Sequence, residues 1–403
     1  MIVGIFSDTH LGFMGEDRFD EAFLRFNEAV SIFQKNKVDV VLHAGDLFDD
    51  ATPTQEVWLK TFNVFASNFG ELKSFTKNTL SGKKQCFSKG IPFVAIHGTH
   101  EHRGKDFANA IDVLEESNCL VHIHASNVEF NQNGERVVIH GLGGVPEKHA
   151  KEVLEKYNPR PISGATNIIM FHQSFKEFLP FDDDDMIASL SLSDLPQGFD
   201  LIVNGHLHWS GEQNVEGRRF LLTGSTIFTQ MKKLEGEKEK GVFIFDTVSK
   251  NISFVPFQNQ RKLFYQKFSF KEALPEDVIK KVNEYVSSLG LNNFNSKPLV
   301  RIKLVGTIAK GFSQSDVSLS LPKDLAVFSL SKEFTVESFQ KKLSALKELA
   351  LEKKSVSEMG VDLLEKNVVE AGLVDFDTRR MFELLALGEN EKAQSVLLSS
   401  EKN

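Results

Sequence analysis

The stretch Ile2-Val3-Gly4-Ile5-Phe6-Ser7-Asp8-Thr9-His10 decides how the rest of the chain is read. Ile2–Phe6 predicts a short apolar strand, and Ser7-Asp8-Thr9-His10 its polar exit. Side chains alternate faces along an extended backbone, so Asp8 and His10 project the same way from the strand's end. One oxygen and one nitrogen donor on the same side of a strand terminus make a metal-binding pair for a borderline cation. Asp-x-His is short, and its weight comes from four later segments of the same kind. They are Gly45-Asp46-Leu47-Phe48-Asp49, Gly98-Thr99-His100-Glu101, Phe171-His172-Gln173 and Gly205-His206-Leu207-His208. Each ends a candidate strand, and open α/β sheets bind ligands at the carboxyl ends of their strands. Glycines at 45, 98 and 205 permit sharp turns and close backbone approach.

Working outward, strands are predicted at Ile2–Phe6, Val38–His43, Pro92–His97, Arg136–Leu142, Asn167–Phe171, Asp200–Asn204 and Arg219–Thr223. Between them Arg18–Gln34 carries Phe19, Phe23, Phe26, Val30 and Phe33 at helical spacing, and Thr54–Phe69 repeats the pattern. This alternation predicts an α/β layered domain over residues 1–260, closed by a hairpin-like pair around Phe220–Leu222 and Gly241–Phe245. The lysine-rich Ser74–Lys89 reads as a surface loop, and Asp182–Asp185 as a solvated acidic run with no calcium-loop spacing. A small α+β domain follows over 261–335, with strands at Leu263–Phe270 and Leu299–Val305 and a helix at Pro275–Leu289. Residues 336–403 read as short helices without a core of their own, Asp375 or Asp377 capping Arg379–Leu387, so they must dock on something.

The 403 residues, 41% hydrophobic and 25% charged, describe an ordinary globular protein with room for a large core. Phe outnumbers Tyr and Trp at 36 against 3 and 2, which predicts interiors filled by rings that need no polar partner. Only Cys86 and Cys119 occur, without metal-type spacing, which fits a reducing compartment. Neither a signal peptide nor an apolar run long enough for a bilayer is visible, so a cytoplasmic protein with no membrane contact is expected. The net charge of −8 is unevenly spread: residues 261–310 hold ten Lys/Arg against four Asp/Glu, and 346–403 hold eight against twelve. A basic middle and an acidic tail point to different partners.

Imidazole is the commonest metal ligand and a carboxylate can bridge two ions, so three histidines with two aspartates support a pair of divalent cations. Such a pair lowers the pKa of bound water, neutralises a phosphate and orients in-line attack. The set Asp-x-His, Gly-Asp-x-x-Asp, Gly-x-His-Glu, His and Gly-His-x-His, covering residues 1–245, resembles the calcineurin-like metallophosphoesterases. Asp8-Thr9-His10-Leu11-Gly12, Gly45-Asp46-Leu47-Phe48, His172-Gln173 and the overall layout resemble more narrowly the archaeal double-strand-break repair nucleases of the meiotic-recombination-eleven type.

That resemblance implies a layered β-sandwich flanked by helices, a small α+β capping domain that helps grip DNA, and a helical tail that binds a partner. It implies a DNA exonuclease or endonuclease using two divalent ions, manganese being the expected metal. Asp8, His10, Asp46 and His208 would hold one ion, with Asp46 bridging, and His172 and His206 would serve the second. His100 would stand beside the leaving oxygen. Thr99 stands where the family has an asparagine, replacing an amide carbonyl ligand by a poorer hydroxyl donor, with Glu101 as the alternative ligand. Asp49 stands where many relatives carry a second histidine. Arg261, Lys262, Lys267, Lys280, Lys281, Arg301 and Lys303 are the candidates for DNA phosphate contacts. The implied partners are DNA, a Rad50-like coiled-coil ATPase held by the C-terminal helices, and a second copy of the chain docked through Arg18–Gln34 and Thr54–Phe69. The remaining histidines, among them His97, His102, His122, His124, His140 and His149, are read as structural. Two other functions fit the same motifs: a phosphodiesterase or phosphatase for other phosphoesters, and a weakly active scaffold that tethers DNA ends.

Overall fold

The computed structural model describes residues 1–13, 18–67, 71–104, 107–179, 190–215, 217–258, 260–334, 361, 364–365 and 378–386. Two sheets form its first compact unit. One has the order β14 (Ile252–Pro256), β13 (Gly241–Asp246), β1 (Ile2–Phe6), β2 (Val40–Ala44), β5 (Phe93–Ile96), β6 (Val121–His122). The other runs β11 (Gly211–Val215), β12 (Arg218–Leu222), β10 (Leu201–Asn204), β9 (Thr166–Phe171), β8 (Glu135–Leu142), β7 (Ser126–Gln132), β3 (Leu72–Thr79), β4 (Gly82–Lys89). Each sheet has a parallel centre, β1-β2-β5-β6 and β12-β10-β9-β8, so strands of both sheets can end at one edge.

Alternation along the strands builds the layers. Val3 and Ile5 face inward and meet Ile139, Ile168, Met170 and Val203 of the other sheet, forming the interior of the sandwich. Phe6, Val41, Phe93 and Ala95 face outward, under helices α1 (Phe19–Lys35), α2 (Gln55–Ser67) and α3 (Ala110–Glu116). On the opposite side Ile169, Phe171 and Ile202 face α4 (Glu147–Tyr157) through Ala150 and Leu154. The phenylalanines fill these layers with rings: Phe6 meets Phe26, Phe33 and Phe93 at centroid separations of 5.4–5.9 Å.

Two expectations are corrected. Ser74–Lys89 is no loop, because β3 and β4 pair antiparallel from Leu72↔Lys89 to Thr79↔Gly82. β4 is an edge strand, and lysines on an edge discourage pairing with other chains. Lys83, Lys84 and Lys89 therefore disguise an alternation in which Cys86 and Ser88 point inward. Nor do Phe220–Leu222 and Gly241–Phe245 form a hairpin: β12 pairs with β10 and β11, whereas β13 pairs with β1 and β14 in the other sheet.

The first unit takes in Met1–Tyr265, Leu291–Arg301 and Pro322–Ser329; the second takes in Gln266–Gly290, Ile302–Leu321 and Leu330–Asn403. β15 (Leu263–Ala273), β16 (Leu299–Ile308) and β17 (Val327–Phe334) make a three-stranded sheet in that order. Helix α5 (Pro275–Ser288) buries Val278, Val282 and Val286 and sets Tyr285 edge-on to Phe268. The helix Thr378–Ala386 falls where the sequence predicts one at Arg379–Leu387. Its expected caps, most of the expected tail, and Asp182–Asp185 lie outside the described residues. Among the described residues no helix is long and apolar enough to cross a membrane.

Candidate metal centre

The parallel strands β1, β2 and β5 of one sheet and β9 and β10 of the other end at the five polar segments, and those segments are hydrogen-bonded together. Asp8 N–H donates to the Gly45 carbonyl at 2.9 Å, and His10 N–H to the Asp46 carbonyl at 3.2 Å. His206 N–H donates to both Asp8 carboxylate oxygens at 3.1 and 3.2 Å, tying the second sheet to the first. Gly45, at φ +92°, makes the turn into Asp46. Gly98 is needed for space, since a Cβ there would lie 2.1 Å from Asp46 Oδ1. Asp8, His10, Asp46 and His206 themselves have φ of 49°, 46°, 52° and 73°. A left-handed backbone at non-glycine residues costs free energy, and its concentration here marks a site whose geometry the surrounding fold enforces.

Three groups of ligand atoms gather within 4.8 Å: Asp8, His10 and His208; Asp46, His172 and His206; and His10, Asp49 and His100. Except for Asp49, His100 and His206, these side chains are buried. Hydrogen bonds on the far ring nitrogens aim several of the rings. His172 Nδ1–H donates to the Ala44 carbonyl at 2.8 Å, which leaves Nε2 facing Asp46 Oδ2 at 3.1 Å without a hydrogen bond of acceptable geometry. His10 Nδ1 is held by Asp49 Oδ1 at 3.0 Å, and His208 Nδ1 by Thr229 Oγ1 at 2.6 Å. Their Nε2 atoms then face each other at 3.3 Å, with Asp8 Oδ1 3.6 Å from His208 Nε2. Two imidazole nitrogens turned toward one carboxylate and one another are a cation's donor set, and each is oriented as metal-bound histidines are, by its other nitrogen.

The electrostatics agree with that fit. Burial opposes the charging of His172, but the Asp46 and Asp8 carboxylates outweigh it and raise its pKa to about 10. Burial pushes Asp8 up to about 6, while His206 is lowered to about 4, first by burial and then by the His172 charge. Asp46, though buried, is held well below its ordinary value by His172. Two buried carboxylates facing this set of imidazoles favour positive charge between them.

The other expected residues divide. His100 is exposed; its Nδ1–H donates to the Asp49 carbonyl at 2.6 Å and its Nε2 stands 4.0 Å from Asp46 Oδ2. The Thr99 hydroxyl donates to Asp46 Oδ2 at 3.5 Å. Glu101, the alternative ligand, is fully buried and committed elsewhere: its carboxylate accepts Gly98 N–H at 2.6 Å, Phe48 N–H at 2.7 Å and Asp46 N–H at 3.2 Å. It staples the second motif to the third. Behind His208, the buried Lys240 donates to the His208 carbonyl at 2.8 Å and to Glu235 at 3.0 Å, and Glu235 accepts the Thr229 N–H at 3.1 Å. This support was not visible in the sequence.

The basic candidates differ in their partners and exposure. Arg261 pairs with Glu21 at 3.1 Å, Arg301 donates to Ser329, and Lys303 pairs with Glu333 at 2.9 Å. Lys262, Lys267, Lys280 and Lys281 are exposed, Lys281 lying over the Phe268 and Phe270 rings. Arg261, Lys262 and Arg301 belong to the first unit, the other four to the second.

A fold of two packed mixed sheets whose strand ends assemble this donor set matches the calcineurin-like phosphoesterases over residues 1–210, more than half of the chain, and the chain belongs to that family. Within it, the chain is 25% identical over 313 residues to the DNA double-strand break repair protein Mre11 of Sulfolobus acidocaldarius, covering 75% of this chain and 74% of that one. It is 24% identical over 341 residues to the protein of the same name in Thermoplasma acidophilum, covering 81% and 82%. The double-strand break repair protein MRE11 of Oryza sativa subsp. indica is 26% identical over 402 residues, covering 81% of this chain and 55% of the plant protein.

Proposed function

We propose that this protein is a metal-dependent DNA nuclease that processes double-strand breaks. The observation favouring DNA over a small phosphoester is the reach of the similarity. It extends over 81% of this chain and 82% of the Thermoplasma acidophilum repair protein, far past the phosphoesterase match that stops at residue 210. Asp8, His10, His208 and a shared Asp46 would hold one divalent ion, and Asp46, His172, His206 and Thr99 the second, manganese suiting a mixed carboxylate and imidazole set. Bound there, such a pair supplies a water of lowered pKa and screens the phosphate charge. Asp49 orients His10 through its carboxylate and His100 through its carbonyl, leaving His100 Nε2 on the open side to donate a proton to the leaving oxygen.

Surface features support the partners proposed with this activity. Leu24 on α1 and Leu59 and Phe62 on α2 are exposed large apolar side chains, which supports these helices as the contact with a second copy. The exposed lysines 262, 267, 280 and 281 would meet DNA phosphates. The acidic C-terminal segment would dock on a coiled-coil ATPase, and the cytoplasm is the expected compartment. The test is cleavage of linear duplex and plasmid DNA with added manganese, beside hydrolysis of bis(p-nitrophenyl) phosphate and of a phosphopeptide. DNA cleavage that a chelator abolishes is expected; turnover of the phosphopeptide with intact DNA would make the protein a phosphatase of the same fold.

A further inference from the structure

Beside the third motif the first unit has a second histidine-rich region that the metal centre does not use. A cavity of about 910 Å3 is lined by the imidazoles of His97, His102, His122, His124 and His149. His97 directly precedes Gly98, and His102 and Arg103 follow His100 by two and three residues, so this wall and the leaving-group histidine share one loop. Gly144, next to the lining residue Val145, packs so closely that a Cβ on it would lie 2.6 Å from the Gly98 carbonyl carbon.

So many histidines raise the question of a further metal, and the geometry argues against one. Among the described residues, the groups bringing three ligand atoms within 4.8 Å all belong to the centre already described. Three of these rings, those of His97, His122 and His124, already have hydrogen-bond partners. Asp112 Oδ1 accepts from His122 Nδ1 at 2.7 Å, His122 Nε2 faces His97 Nδ1 at 3.0 Å, and His124 Nδ1 accepts Gly143 N–H at 3.2 Å. The volume also far exceeds an ion's and lies in the range of organic-ligand pockets. What remains is a set of flat rings beside apolar Val145, Pro146 and Val153. At the exposed edge stands Phe107, 65% exposed, with the Arg103 guanidinium over its ring at 5.2 Å from the centroid. Proteins that hold unpaired bases stack them on exposed aromatic rings, with arginine adding cation–π attraction, and Phe107 has a second ring face for a base beside Arg103.

We propose that this cavity receives the nucleobase of the nucleotide adjoining the cleaved phosphate, unstacked from its neighbours and held between Phe107, Arg103 and the imidazole wall. The proposal rests on the nuclease reading above and deepens it, making the preferred substrate a strand whose base is free to leave the stack. The test uses the full-length protein with manganese and single-stranded oligonucleotides carrying either a normal base or an abasic analogue at the nucleotide beside the cut. Stacking worth ~1–3 kcal/mol per base predicts that wild type cleaves the normal substrate roughly five- to 150-fold faster. Phe107→Ala and Arg103→Ala, both at exposed positions, should reduce that ratio toward one while hydrolysing bis(p-nitrophenyl) phosphate, which has no base, at the wild-type rate. Equal cleavage of the two oligonucleotides by wild type, or an unchanged ratio in both variants, would overturn the proposal. Failure of the nuclease reading is distinguishable, because wild type would then hydrolyse the small diester and leave every oligonucleotide intact.

Discussion

Asp49 and Glu101 carry the two largest surprises at the scale of single residues. Asp49 holds two histidines in place, His10 through its carboxylate and the exposed His100 through its carbonyl. His100→Ala should therefore keep its metal, read by elemental analysis, while the cleavage rate falls about 100-fold or more, as for a lost general acid. Loss of metal in step with activity would make it a ligand. Glu101, bonded to three backbone N–H groups, is a positioning residue for Asp46. Thr99→Asn should shift the manganese activation curve to lower concentration with little change at saturation. Glu101→Gln should weaken metal binding on the order of tenfold and also lower the melting temperature of the metal-free protein. A binding defect with unchanged melting would instead make Glu101 a ligand. The donor types were legible because Asp8, His10, Asp46, His172, His206 and His208 close strands whose ends a layered sheet brings together. The left-handed backbones at Asp8, His10, Asp46 and His206 were not legible, because only the assembled loops impose them.

At the scale of elements, strands buried on both faces were easy to read and edge strands were not. The hairpin β7–β8 had a sequence signal that went unused: Asn133-Gly134, with φ of 52° and 80°, is the dipeptide favoured by tight hairpin turns. On β8, His140 packs edge-on against Phe199 at 5.0 Å, and burial lowers its pKa from 6.5 to about 4. The folded form then binds fewer protons than the unfolded chain between these values. Stability accordingly falls as pH drops through 6.5 toward 4 and levels off below, by up to ~3 kcal/mol for this residue. His140→Gln should flatten that acid limb in denaturant titrations at pH 7 and pH 4.5. An equally steep limb in the variant would assign the acid sensitivity to other buried groups such as His43.

At the scale of the whole molecule, the family match ends at residue 210, whereas similarity to the Thermoplasma acidophilum repair protein runs through about four-fifths of the chain. Deleting Leu346–Asn403 should leave a folded, metal-dependent enzyme that no longer captures, in pull-down, the coiled-coil ATPase proposed as its partner. Undiminished capture would move the docking surface elsewhere. The central claim is that cleavage of DNA depends on two cations sharing Asp46. Its most direct test is the rate of DNA cleavage against manganese concentration, with bound metal counted at each point, for wild type and Asp46→Ala. Two ions per chain are expected when the wild-type rate saturates, with no detectable cleavage by Asp46→Ala at any concentration. Full activity with one ion or none, or near-normal cleavage by Asp46→Ala, would contradict it.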